Sequence, residues 1–223
     1  MSIKKYVYLS MHKYFIDRGF ILKYSQIESP LTVDEIRHRI IRQVFKDFQI
    51  DSVDFNSSAD VPAGTGLGSS SAFTVGLLNL CYAYKGLYTS KSNLAHLACE
   101  VELQKLAEPI GKQDQYGCAL GGLNLIEFEN DGTVVHENIP LNQAQRRKME
   151  ESLLMFYLGG TRSAIELLST QARNSISNSQ VVENLKAMAE QARTLRKDLC
   201  EDISRLGPYL HEGWERKRRL SSE

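Results

Sequence analysis

The residues best suited to chemistry sit in two short stretches. The first, Asp60-Val61-Pro62-Ala63-Gly64-Thr65-Gly66-Leu67-Gly68-Ser69-Ser70-Ser71-Ala72, sets three glycines within five residues and follows them with three serines. Gly64, Gly66 and Gly68 can take positive φ without a Cβ penalty, so successive N–H groups can turn inward as a nest for an anion. Pro62 stiffens the approach by fixing its own φ. After Gly68 the pattern turns helical and largely apolar, through Ala72, Phe73, Val75, Leu77, Leu78, Leu80 and Cys81. Ser69 and Ser70 are N-cap candidates, and the positive end of that helix would point at whatever the loop holds. Their hydroxyls add donors, or a neutral oxygen for a metal ion. The second stretch, Gly111-Lys112-Gln113-Asp114-Gln115, supplies a carboxylate of the kind that aligns a nucleophile in phosphoryl transfer. Phosphate held by backbone and a carboxylate beside it point to a kinase.

Two better-known phosphate loops fit poorly. A Walker A loop needs Gly-Lys-[Ser/Thr], and no lysine follows Gly68. A dinucleotide fingerprint needs G-x-G-x-x-G, whereas the spacing here is G-x-G-x-G. A tight strand-to-helix turn whose glycines only relieve crowding remains the plain alternative.

Pro62-x-x-x-Gly66-Leu67-Gly68-Ser69-Ser70-Ser71-Ala72 resembles the central phosphate-binding motif of the GHMP kinases (galactokinase, homoserine kinase, mevalonate kinase, phosphomevalonate kinase). Gly111 to Gln115 matches the place where sugar-phosphorylating members carry their catalytic aspartate. Glu102 falls where such members carry a magnesium-binding glutamate. Within the family the chain is similar to the D-glycero-D-manno-heptose 7-phosphate kinases. That likeness runs over Pro62 to Gly76, Glu108 to Tyr116, Gly121 to Phe128, Gly160-Thr161-Arg162-Ser163-Ala164 and Leu210 to Lys217. The segment Gly111 to Gln115 looks sugar-kinase-like and disfavours an isoprenoid-pathway or homoserine kinase.

The resemblance implies an α+β GHMP-kinase fold. Its front half would resemble the second domain of a ribosomal small-subunit protein, and its helix-rich back half an incomplete ferredoxin-like domain. It implies ATP and Mg²⁺ as cofactors and a sugar phosphate as substrate. Phosphate would go to a hydroxyl, the anomeric one, of a heptose phosphate, towards nucleotide-activated heptose and surface polysaccharide. Pro62, Ala63, Gly64, Thr65, Gly66, Leu67, Gly68, Ser69, Ser70 and Ser71 would hold the nucleotide's phosphates. Ser70 and Glu102 would hold the magnesium. Asp114 would take the proton of the sugar hydroxyl, and Lys112 would neutralise phosphate charge beside it. Arg162 would fork onto the distal phosphate of the substrate.

Each assignment has a plain rival. Asp114 could cap a helix, Glu102 could lie on a solvated face beside Glu100, Lys112 could be a surface lysine, and Arg162 could be an N-terminal turn residue. Two other functions stay open. One is a fucokinase or galactokinase-like sugar 1-kinase, since these share much of the pattern. The other is a truncated, non-catalytic remnant binding nucleotide or a protein partner. Family members also carry a glycine-rich or Arg-containing first motif and a final glycine-rich loop. Before Gly64 the only glycine is Gly19, and after Gly160 only Gly207 and Gly213 remain. The resemblance therefore covers the central part of such a kinase.

Composition bounds the rest. The chain has 223 residues, enough for one large or two small cores. Lys plus Arg equals Asp plus Glu at 27 each, so no charge bias argues for nucleic acid or a membrane surface. No apolar run approaches the ~18 to 20 residues of a membrane span. Met1 to Tyr14 lacks the apolar core of a signal peptide. Cys81, Cys99, Cys118 and Cys200 are far apart and form no C-x-x-C, so reduced thiols and a cytoplasmic location are expected. The five histidines are scattered, which argues against a hydrolase triad. The oligomeric state is left open.

The elements that must position these residues follow from periodicity. Lys5 to Ser10, Phe20 to Tyr24 and Ser52 to Asn56 read as strands, the last delivering the loop. Thr32-Val33-Asp34-Glu35 is a capping box that predicts a helix carrying Ile36, Ile40, Val44 and Phe48 on one face. The loop helix should end near Gly86, and another should run from Ser92 to before Pro109. Asp131-Gly132 predicts a hairpin between Leu123 to Phe128 and Thr133 to His136. A charged helix over Gln143 to Glu151 and a strand over Leu153 to Leu158 come next. Then follows a helix with Val182, Leu185, Ala189, Ala192, Leu195 and Leu199 on its seam, broken at Gly207-Pro208. A boundary near Leu141 gives domains of residues 1–141 and 142–223.

Overall fold

The computed structural model describes residues 1–16, 18–156 and 179–220. The chain divides into two compact units, Met1–Gly122 and Leu123–Glu223. The hairpin after Gly122 lies in the second unit, where its first strand meets the long helix described below.

The first unit is a four-stranded sheet covered by helices. Strands β1 (Val7–Lys13), β2 (Ile21–Lys23), β3 (Ile27–Glu28) and β4 (Val53–Ala59) lie in the order β1-β4-β2-β3. β1 and β4 run antiparallel, with Val7 opposite Ala59 and Lys13 opposite Val53, while β2 runs parallel to β4. Val53 and Phe55 alternate onto the buried face of β4, as a half-buried strand requires. Phe55 meets Phe45 and Phe73 edge to face, with ring centroids 6.1 and 6.2 Å apart.

Four helices belong to this unit: α1 (Arg39–Asp47), before β4, and α2 (Ser69–Tyr84), α3 (Lys91–Cys99) and α4 (Gln113–Leu120) after it. α2 is apolar nearly all round, which suits a helix packed against β1, α1, α3 and α4 at once. Gly76 lets it approach the sheet: a Cβ there would meet Leu9 Cδ1 at 3.1 Å. α3 continues directly into a π turn, Glu100–Lys105.

The capping box at Thr32 does not form. Thr32 caps nothing, and Val33–Glu35 make only a 3₁₀ turn. The Glu35 carboxylate instead accepts from Leu31 N at 2.9 Å. Ile36, fully buried, leaves the turn with ψ 120°. Burial of that one side chain outweighs the local helix signal. The helix starts three residues later, and His38 caps it by accepting from Ile41 N at 3.4 Å.

This cap gives stability an acid limit. His38 packs between Tyr24 and Phe73, and burial lowers its pKa below 6.5, against the opposing pull of Glu28. Only the neutral ring can accept from Ile41. The contribution is therefore complete above pH 6.5 and is lost as pH falls below it, through the depressed native value. His38→Asn should keep the cap and flatten the stability profile between pH 7 and 5, where wild type loses up to about 1 kcal/mol. Urea melts at several pH values check this, and parallel profiles for the two proteins would refute it.

In the second unit, β5 (Asn124–Phe128) and β6 (Val134–Asn138) form the expected hairpin, with Asp131 accepting from Thr133 N at 2.8 Å. α5 (Gln143–Ser152) opens with a capping box from Asn142 and Gln145. Residues 153–156 form no strand, and 157–158 lie outside the described residues. The long helix Ser179–Glu201 buries Val181, Asn184 and Leu199, while Ala189 and Ala192 face solvent. Its partners include β5 and the last helix, Leu206–Lys217; of the expected seam, Leu195 and Leu199 join the core and Val182 and Leu185 are half-buried. The chain turns at Asp202, whose carboxylate accepts from Ser204 N at 3.0 Å, before Gly207-Pro208 is reached. Ile139, Leu141, Met149, Leu199 and Ile203 make the core of this unit. Among the described residues no helix is long and apolar enough to cross a membrane.

Candidate active site

β4 delivers the chain to the loop and α2 receives it. Tyr6 N donates to the Asp60 carboxylate at 2.9 Å, fixing where the loop leaves the sheet. Gly64, Gly66 and Gly68 take φ of +76°, +74° and +71°, the left-handed region that their spacing predicts. Thr65 Oγ1 donates to the Pro62 carbonyl at 3.2 Å and tightens the turn. Gly68, not a serine, is the N-cap residue, and no side chain caps the helix. The first helical bond runs from Ala72 N to Gly68 O at 2.8 Å. Among the described residues, the amides of 63–71 donate to no backbone carbonyl. A helix start with its first N–H groups unspent is a ready anion site.

Asp114, in the first turn of α4, lies directly over this helix start. A Cβ on Gly68 would sit 3.7 Å from its carboxyl carbon. Its side chain is exposed and carries no hydrogen bond among the described residues. Beside it, Cys118 Sγ donates to Gly68 O at 3.6 Å. Burial, with the nearby Asp114 and Glu102 charges, pushes the Cys118 thiol up to about 11. The second glycine-poor stretch and the glycine loop, some fifty residues apart in sequence, are thus neighbours across α2 and α4.

Glu102 sits beneath the serines and is 1% exposed. Its Oε1 accepts from Thr74 Oγ1 at 2.7 Å and from Ser70 Oγ at 3.3 Å. Its Oε2 accepts from Ser71 Oγ at 3.0 Å and from Gln115 Nε2. Thr74 Oγ1 also lies 3.2 Å from Ser70 O, but its single proton goes to the nearer, charged acceptor. Burying a carboxyl group is costly without such partners. The solvated-face reading of Glu102 is therefore excluded.

The π turn aims this carboxylate. Glu102 lies within it and meets Ser70, Ser71 and Thr74 of α2, in keeping with the frequent placing of such bulges at functional sites. Lys105 pins the turn by pairing with Asp47 at 3.0 Å and Glu100 at 3.3 Å. Ala107 then takes φ +53°, costly for a residue with a Cβ. Arg39 holds that segment, donating to Glu108 Oε1 at 2.6 Å and Leu106 O at 2.7 Å.

The sequence-based candidates divide as follows. Ser70, exposed at the rim, meets Glu102, while Ser71 turns its hydroxyl inward and leaves only its amide for the loop. Lys112 is the N-cap residue of α4, and its charge acts on Cys99, whose thiol burial nonetheless pushes up to about 11. Arg162 lies outside the described residues. Thr74 and Gln115 were missed. A lone threonine on an apolar helix, one turn after a serine, was the signal available for the first.

A metal fit can be judged from the donors. Ser70 Oγ and Glu102 Oε1 present hard oxygens side by side, a hydroxyl and a carboxylate oxygen, which suits magnesium. Among the described residues no group of three or more His, Cys, Asp or Glu could hold an ion instead.

Residues 35–122 match the model of the GHMP kinases N terminal domain. It is 26% identical over 190 residues to the D-glycero-alpha-D-manno-heptose 7-phosphate kinase of Campylobacter jejuni, covering 84% of this chain and 56% of that one. It is 24% identical over 183 residues to the galactokinase of Pyrococcus furiosus, covering 80% and 47%. The fold is that of a D-glycero-D-manno-heptose 1-phosphate kinase from Bacteriodes thetaiotaomicron, at TM-score 0.77 and 22% identity over 96% of this chain and 67% of that one. The chain spans about half the length of the curated relatives it matches.

Proposed function

We propose that the chain is the phosphate-binding and catalytic part of an ATP-dependent sugar kinase that acts on a heptose phosphate. The observation that carries this reading is the Asp114 carboxylate over a helix start whose amides are unspent. On this reading residues 1–141 form the nucleotide-phosphate domain and 142–223 part of the second domain. Amides from Ala63 to Ser71 hold the phosphates of ATP. Asp114 accepts the proton of the attacking sugar hydroxyl, and Lys112 balances phosphate charge nearby. Ser70 and Glu102 would hold magnesium, whose chemistry is to draw negative charge from the phosphate oxygens. Arg162 is proposed for the substrate's own phosphate. The likeness to a heptose 7-phosphate kinase favours a seven-carbon sugar and the anomeric hydroxyl, in the cytoplasm, on a route to nucleotide-activated heptose. The likeness to galactokinase keeps a simple sugar 1-kinase as the second reading.

Calorimetric titration with ADP, with and without MgCl₂, is the first test. Magnesium-dependent binding is expected, and its absence would sink the reading. Radiolabelled ATP with heptose 7-phosphate, galactose or fucose then separates the substrates. Nucleotide binding without transfer to any of the three would leave a non-catalytic binding module.

A further inference from the structure

Gln115 is completely buried on α4, one residue after Asp114. Its amide nitrogen donates to Glu102 Oε2, and its amide oxygen meets no donor among the described residues. A buried acceptor left without a donor is unfavourable. An unbranched apolar residue of similar length would fill the same space without that loss. What the amide adds over such a residue is its bond to Glu102, set against its own unmet oxygen. The amide's orientation is also dictated: turned over, it would set its oxygen against the Glu102 carboxylate.

The other two buried donors to Glu102, Ser71 and Thr74, both belong to α2. They move with that helix and constrain the carboxylate from one side. Gln115 comes from α4 and holds Oε2 from another. With Oε2 fixed by Ser71 and Gln115, rotation of the carboxylate plane is blocked, and Oε1 stays turned towards the exposed Ser70 hydroxyl.

We propose that Gln115 is a positioning residue: it fixes the Glu102 carboxylate plane and thereby sets the affinity of the nucleotide site for a divalent cation. This rests on the reading of Ser70 and Glu102 as the magnesium site. Groups that orient a metal ligand from behind typically change metal affinity by about 10–100-fold when removed.

The test is calorimetry of ADP binding to the full chain across a series of MgCl₂ concentrations, paired with thermal melting without ligand. For Gln115→Met, the magnesium concentration giving half the increase in ADP affinity should rise about 10-fold. The melting temperature should stay level or rise. An unchanged magnesium midpoint would overturn the proposal while leaving the metal site standing. Unfolding of both Gln115→Met and Gln115→Leu would also overturn it, because the amide would then serve the fold. ADP binding that ignores magnesium in wild type would remove the metal site itself, and this role with it.

Discussion

Asp114→Asn is expected to lower phosphoryl transfer by about 10² or more, with ADP affinity and melting temperature close to wild type. The side chain is exposed and bears no hydrogen bond among the described residues, so its replacement disturbs no packing. The amide keeps the shape but cannot take a proton. A loss confined to the chemical step, measured as kcat with KM for ATP unchanged, is the signature of a group acting on the nucleophile. Turnover within threefold of wild type would remove Asp114 from the proton-accepting role.

Glu102→Ala should behave in the opposite way. The carboxylate is 1% exposed and accepts from four donors, so truncation strands Ser71 and Gln115 and opens a void. Thr74 can fall back on the Ser70 carbonyl. The expected loss is about 2–4 kcal/mol of stability. Magnesium dependence of ADP binding should vanish as well. Melting and calorimetry on one preparation would detect both effects. A stable variant that still responds to magnesium would contradict the site as described. The pair of substitutions is thus expected to separate an exposed carboxylate, whose loss spares the fold, from a buried one, whose loss does not.

How far the sequence reveals this site depends on the range of the forces involved. The glycine loop is legible because positive φ is a local property, and all three loop glycines adopt it. The hairpin at Asp131-Gly132 is legible for the same reason. Asp114 could be named from its motif, but its nearness to Gly68 depends on how α2 and α4 pack. The surroundings of Glu102 were hidden, because they need a π turn, and no local pattern announces the extra residue. Thr32 failed as a cap because the burial of Ile36 is a tertiary demand. The seam expected around Ala189 and Ala192 failed because neighbouring elements decide which side of a helix is covered. Local chemistry read correctly wherever no distant partner competed with it.

α4 carries Asp114 and Gln115 at successive positions, about 100° apart around one helix. One side chain faces the helix start of α2 and the other the carboxylate beneath it, so a single rigid rod sets both distances. Any change in how α4 packs on α2 would therefore move both side chains together.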